Sequence, residues 1–125
     1  AMIAARQRRI RPGRDTKVIA AWNGLAIRAF AEAAAVLEAD DYRDVAIGIA
    51  EFVTAEMIDT GGRLHRAWRQ GRTSGPGFCD DYAAMAVGLY TLFSVTGDIR
   101  WYEHAEALAT SMIVMFGDTG GFFSP

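Results

Sequence analysis

Three short segments hold the residue types that chemistry requires. Asp15 and Lys17 lie a turn ahead of Trp22-Asn23-Gly24, Arg66 and Trp68-Arg69 form a second group, and Asp80-Asp81-Tyr82 a third. Carboxylates, cations and indoles gathered on one concave rim suit a polyhydroxylated, carbohydrate-like ligand. Sugar rings stack on aromatic faces, hydroxyls take paired donors and acceptors, and two acids can divide proton donation and abstraction if their environments push their pKa values apart. In that reading Asp81, with Asp80 or Lys17, does the acid and base work. Trp22, Trp68 and Tyr82 stack, Asn23 and Arg66 orient hydroxyls, and Asp15 joins the binding rim. Each residue also has a purely structural reading. One of Asp80 and Asp81 can cap a helix, Gly24 can serve close helix packing, Trp22 and Trp68 can be core, and Lys17 beside Asp15 can be a surface pair of little worth.

The remaining candidates point to no cofactor or metal. His65 follows a double glycine and reads as a solvated loop residue, while His104 sits near the apolar face of a helix and reads as packing. Two histidines so far apart, without ligand-spaced Cys, Asp or Glu, make no recognisable zinc site. Cys79 stands just before a helix start, a position that favours a reactive thiol, but Asp80 and Asp81 beside it act in the opposite sense. The glycines between Gly71 and Gly77 follow no strand and match no phosphate-binding pattern, so this stretch reads as a rim or lid loop.

The elements that must position these residues follow from an internal repeat. Asp59-Thr60-Gly61-Gly62 recurs as Asp118-Thr119-Gly120-Gly121, an offset of 59. At that offset Val36 matches Val95, Ala46 matches Ala105, Ala50 matches Ala109, and Tyr42, Ile49 and Met57 face Trp101, Leu108 and Phe116. Each repeat contains two helices and a rim loop. The first helix is expected over Lys17 to Leu37 and the third over Asp81 to Val95, both apolar nearly all round and so buried on most sides. The second, Tyr42 to Ile58, and the fourth, Trp101 to Phe116, are amphipathic. Odd helices are then inner and even helices outer, with Gly61 and Gly120 as positive-φ stops. An inner ring wrapped by an outer ring is an α/α toroid, of which this chain supplies two helical hairpins: an all-α, incomplete toroid of the six-hairpin glycosidase-like kind, with a basic arm over residues 1–16 and the repeats over 17–125. A free-standing four-helix bundle is the alternative, although helices one and three carry more apolar perimeter than such a bundle covers, so exposed patches or self-association would follow.

Composition narrows the class further. With 125 residues, 51% hydrophobic and 22% charged, the chain has the make-up of a soluble globular domain or a piece of one. The longest nearly apolar run, Val18 to Ile27, is too short for a membrane span of about 20 residues, and the N-terminal stretch lacks a secretory apolar core. A lone cysteine gives no internal disulfide and fits a cytoplasmic setting. Five arginines between Arg6 and Arg14 could form a nucleic-acid arm, but no further basic cluster or stacking face accompanies them, so that partner is disfavoured.

At these landmarks the sequence resembles the thioredoxin-domain-containing family of spermatogenesis-associated protein 20 and its bacterial relatives. The resemblance runs in order through Arg9-Ile10-Arg11-Pro12-Gly13-Arg14-Asp15-Thr16-Lys17, Ala21-Trp22-Asn23-Gly24-Leu25, Gly62-Arg63-Leu64, Trp68-Arg69-Gln70-Gly71, Gly77-Phe78-Cys79-Asp80-Asp81-Tyr82-Ala83 and Gly120-Gly121-Phe122-Phe123. It implies an internal piece of a C-terminal α/α toroid similar to the N-acylglucosamine 2-epimerase fold. The implied partners are the remaining hairpins and a thioredoxin-like domain, which the toroid could instead serve as a non-catalytic scaffold. It further implies that Asp15, Lys17, Trp22, Asn23, Asp81 and Tyr82 are rim residues. Cys79-Asp80 departs from the aliphatic residue and glutamate expected before Asp81-Tyr82, which shifts the catalytic reading from Asp80 toward Asp81.

Overall fold

A computed structural model describes residues 17–118 and 121–122. The basic arm, Asp15 and Gly120 lie outside the described residues. The order is β1 (Val18–Ile19), α1 (Ala20–Leu37), α2 (Asp40–Glu56), β2 (His65–Arg69), β3 (Arg72–Pro76), α3 (Cys79–Thr96), α4 (Ile99–Phe116), β4 (Gly117–Asp118) and β5 (Gly121–Phe122). The molecule is mostly helical, with a small antiparallel sheet in the order β1-β2-β3 and a two-stranded β4-β5 ladder.

The 59-residue period is geometrical as well as sequential. Helices α1 and α3 both have 18 residues and begin 59 positions apart; α2 and α4, of 17 and 18 residues, also begin 59 apart. Their left-handed C-caps, Glu38 at φ 51° and Gly97 at φ 72°, keep the same offset. The reversal after α1 and after α3 needs this conformation, which glycine adopts without the Cβ penalty that Glu38 bears. One apolar cluster joins all four helices, with Ile27, Val53, Met57, Met85, Leu89, Leu92, Trp101 and Leu108 essentially inaccessible.

Helix α1 packs against both α2 and α3, α3 packs against α4, and α2 touches only an edge of α3. The α1–α3 contact is close because glycines meet there. A Cβ on Gly24 would stand 2.5 Å from the Ala84 carbonyl carbon and 2.6 Å from the Met85 nitrogen, and one on Gly88 would strike the Gly24 carbonyl. The two helices therefore touch backbone to backbone, with their N-termini at the same end. Gly24 serves close packing, as its structural reading allowed.

Several expectations are corrected. Helix α1 begins at Ala20 rather than Lys17, because Val18 and Ile19 are extended and pair with Trp68 and Ala67. The expected rim loop is a β-hairpin, in which His65 pairs with Pro76 and Arg69 with Arg72. Its two-residue turn, Gln70-Gly71, has φ of 50° and 81°, the doubly positive conformation that matches the twist of paired strands. Gly61 is not the positive-φ residue after α2; Gly62 is, at φ 79°, and the helix itself closes at Met57 in a right-handed conformation. Asp59 shapes that turn by accepting from the backbone N–H groups of Gly61 and Arg63. Neither Asp80 nor Asp81 occupies the N-cap of α3. Phe78 does, and Asp81 is the third residue of the helix, its carboxylate accepting from the Phe78 N–H at 2.8 Å. Helices α1 and α3 are not covered on most sides either. Trp22, Leu25 and Val36 are exposed on one, Val87 and Tyr90 on the other.

Among the described residues no helix is long and apolar enough to cross a membrane, and no group of three or more His, Cys, Asp or Glu could hold a metal ion.

Candidate functional site

The site is built from the end of the molecule where α1 and α3 both start. Strand β1 enters α1 there, β2 lies beside β1, and β3 leads through Gly77 and Phe78 into α3. Lys17, Trp22, Asn23, Arg66, Trp68, Asp80, Asp81 and Tyr82 consequently fall on neighbouring elements although up to 65 positions separate them in sequence.

Asp81 is the link. Its side chain is wholly buried, yet it has three donors: the Ala21 N–H at 3.0 Å on Oδ1, and the Phe78 N–H at 2.8 Å and Arg66 Nη1 at 3.1 Å on Oδ2. Ala21 is in the first turn of α1, where backbone N–H groups lack helical partners, and Asp81 is in the first turn of α3. One carboxylate thus satisfies orphan donors of two helices and meets the positive ends of both dipoles. A buried carboxylate is costly unless it is paired and hydrogen-bonded, and here it is both. Arg66 completes the arrangement, with its guanidinium 4.3 Å from the centre of the Phe78 ring.

Tyr82 is equally committed. It is 1% exposed, its hydroxyl accepts from the Leu64 N–H at 3.0 Å, and its ring meets that of Phe116 edge-on at 5.8 Å. Both residues hold the rim together; Asp81 offers no surface, and Tyr82 contributes only an edge to the cleft beside the Asp59 turn. The stacking role expected of Tyr82 is replaced by packing, and Asp81 acts as a fastener rather than as an exposed acid.

The remaining residues divide by exposure. Trp22 is 71% exposed among the described residues. Trp68 is half-buried, its ring perpendicular to Phe52 at 5.0 Å. Asn23 donates from Nδ2 to the Ile19 carbonyl at 2.8 Å, one turn back, where β1 gives way to α1. Lys17 and Asp80 are exposed on the same rim, and Cys79 is half-buried at the first position of α3.

A second cleft of about 320 Å³ lies beside the rim, between the Asp59 turn and the β-hairpin, with Arg63, His65, Thr73 and Met115 among its walls. The Asp59 carboxyl is held below the usual carboxylate range, first by the backbone N–H of Arg63 and further by Gly61 and the nearby His65. His65 Nε2 is 3.5 Å from Asp59 Oδ2. His104 packs near the Trp101 ring, at 6.3 Å between centroids.

The sequence placed these residues at one end, but the bond from Asp81 to Ala21, which joins positions 60 apart, was not legible in it. Nor was Phe78, whose backbone N–H and ring both serve the buried pair. The available signal was the acid at the third position of a helix, the position from which a side chain reaches back to its own N-cap.

No family model matches the chain. The sequence is 35% identical to human spermatogenesis-associated protein 20 over an alignment of 133 positions, which covers 98% of this chain and 17% of that protein. It is 34% identical to the rat protein of the same name with the same coverage, and 31% identical to an uncharacterized protein of Caenorhabditis elegans over 95% of this chain. The chain spans about 17% of the length of these relatives, so it is similar, nearly from end to end, to one segment of spermatogenesis-associated protein 20.

Proposed function

We propose that this chain is a two-hairpin segment of an α/α toroid in a larger protein of the spermatogenesis-associated protein 20 family, and that its rim binds a carbohydrate-like ligand. The observation that carries the reading is Trp22, an indole left 71% exposed in the first turn of α1, at the end that Asp81 and Arg66 rigidify. A flat aromatic face on a fixed helix end is what a sugar ring stacks on, and a pre-organised support lowers the ordering cost of binding. Asn23 could accept from a ligand hydroxyl through its amide oxygen, and the exposed Lys17 and Asp80 supply a cation and an acid at the same edge. In this reading Asp80 and Lys17 are the acid–base pair if the rim is catalytic, of the epimerase or glycoside hydrolase kind, while Asp81, Arg66 and Tyr82 position the rim.

The test is a thermal-shift screen of the full-length parent protein against sugars, sugar phosphates and nucleotide sugars. A ligand that binds only the folded state raises stability by about 2.7 kcal/mol at a hundredfold excess over its Kd. A hit that disappears in Trp22→Ala and persists in Gly48→Ala supports the reading. A flat screen with folded protein overturns it in favour of a non-catalytic scaffold that serves a thioredoxin-like neighbour.

A further inference from the structure

The cleft between the Asp59 turn and the β2–β3 hairpin has no part in the carbohydrate rim. Its walls come from the turn after α2, the hairpin, Tyr82 at the start of α3 and Met115 near the end of α4. It therefore lies at the end of the molecule where α1 and α3 begin, and not on the flanks of that pair. At about 320 Å³ it has the size of a small-molecule site.

Asp59 is spent inside the wall. Its Oδ1 accepts from the N–H groups of Gly61 at 2.9 Å and Arg63 at 3.0 Å, and its Oδ2 lies 3.5 Å from His65 Nε2. A carboxylate held ionised in this way keeps a proton on Nε2 and leaves Nδ1 as the imidazole nitrogen for a ligand. Arg63 contributes a guanidinium that enters no ion pair among the described residues, and Thr73 an exposed hydroxyl. A planar cation that forks to two oxygens suits a phosphate. The imidazole suits the same group, because a phosphate monoester carries a proton that titrates at about pH 6. Nδ1 takes that proton and donates it back to the phosphate oxygen, while Asp59 stabilises the imidazolium.

The surrounding charge points the same way. Residues 60–79 hold four arginines, one histidine and no acid, in a chain whose net charge is -2. Among the described residues only Arg66 of the four is ion-paired, and Arg69 and Arg72 stand directly opposite each other across the strands. Like charges so placed repel, and the field they leave around the hairpin draws anions in. The apolar part of the wall, Leu64, Pro76 and Met115, suits a short carbon body attached to the phosphate.

We propose that this cleft binds the phosphate monoester of a small molecule, with Arg63 as its cation, His65 sharing the phosphate proton and Thr73 donating from its hydroxyl. The site uses neither Trp22 nor Asp80 and stands whether or not the rim binds a sugar.

Calorimetric titration of the full-length parent protein with inorganic phosphate and with glycerol 1-phosphate, at neutral pH and fixed ionic strength, tests it. Arg63→Ala and His65→Gln remove the proposed contacts, while Arg69→Ala at the hairpin tip and His104→Ala on α4 are the comparisons, and circular dichroism confirms that each variant is folded. Saturable binding is expected, tighter for the ester than for inorganic phosphate. It is expected to weaken about tenfold or more in Arg63→Ala and about fivefold in His65→Gln, the loss of a charge-assisted contact, and by less than about twofold in Arg69→Ala and His104→Ala. The absence of saturable binding, an ester that binds no tighter than phosphate, or an unchanged affinity in Arg63→Ala or His65→Gln overturns the proposal. Equal losses in Arg63→Ala and Arg69→Ala overturn it as well, because they would reduce the effect to the general field of the hairpin.

Discussion

Replacing Asp81 by alanine should unfasten the end of the molecule at which α1 and α3 both begin. The substitution removes a wholly buried acceptor and strands three donors: the Ala21 N–H at 3.0 Å, the Phe78 N–H at 2.8 Å and Arg66 Nη1 at 3.1 Å. Hydrogen bonds to a charged group contribute about 1.5–3 kcal/mol each. They do not simply add, because Arg66 is 39% exposed and regains water when its partner goes. Removing one member of a buried, hydrogen-bonded pair costs about 3–5 kcal/mol, which is the expected loss here. For a domain of this size that corresponds to a fall in Tm of roughly 10–20 °C. Arg66→Ala leaves the buried carboxylate with both backbone donors but without its cation, and should cost about 1.5–3 kcal/mol, the worth of one hydrogen bond to a charged group. Urea denaturation followed by far-UV circular dichroism, at one fixed protein concentration, measures all the variants. An Asp81→Ala variant within about 1 kcal/mol of the wild type would refute the reasoning, because it would mean that the carboxylate does not hold α1 to α3.

Other outcomes follow from the same packing. Gly24→Ala should destabilise by about 2 kcal/mol or more, since overpacking against the Ala84 and Met85 backbone outweighs the gain of about 1 kcal/mol in helix propensity, and urea midpoints report it. Gly48→Ala, on α2 with nothing within 4 Å of its new methyl, should stabilise by about 0.5–1 kcal/mol in the same assay. Asp59 and Asp98 are both held below the usual carboxylate range, by the backbone N–H of Arg63 and by the Arg100 side chain respectively. A depressed folded-state pKa contributes stability that is present above the unfolded value, about 3.9, and is lost as pH falls through the lower folded value. Tm should therefore drop on acidification below about pH 4, and Asp59→Asn with Asp98→Asn should flatten that part of the profile.

How far the sequence revealed this arrangement depends on how local each signal is. The 59-residue period was legible because it lies in the chain itself, in the repeated Asp-Thr-Gly-Gly and the matched alanines and aromatics of α2 and α4. Helix ends were legible to within about three residues, where Gly97 or a short polar link closes the helix. The β2–β3 hairpin was not, because its strands alternate poorly and its turn is Gln70-Gly71 rather than a residue pair rich in Asn or Asp. The rim was legible as a set of residue types, but the division of labour within it was not. Asp81 and Asp80 are adjacent acids in one helical turn, and only the approach of Ala21 from 60 positions away buries one of them. Trp22 has the opposite difficulty: helical spacing places an indole on an apolar face without saying what covers that face.

The proposal that the rim at the start of α1 binds a ligand makes Trp22 its stacking platform. The most direct measurement is a two-dimensional amide and indole NMR titration of this chain with the sugars that stabilise the parent protein. The chain has three tryptophans, so the three indole N–H signals can be assigned by single substitution. The account predicts a saturable shift of the Trp22 indole, together with amides of the first turn of α1, while the buried Trp101 indole stays in place. A Trp22 signal that does not move while others saturate, or a response unchanged by Trp22→Ala, would contradict it.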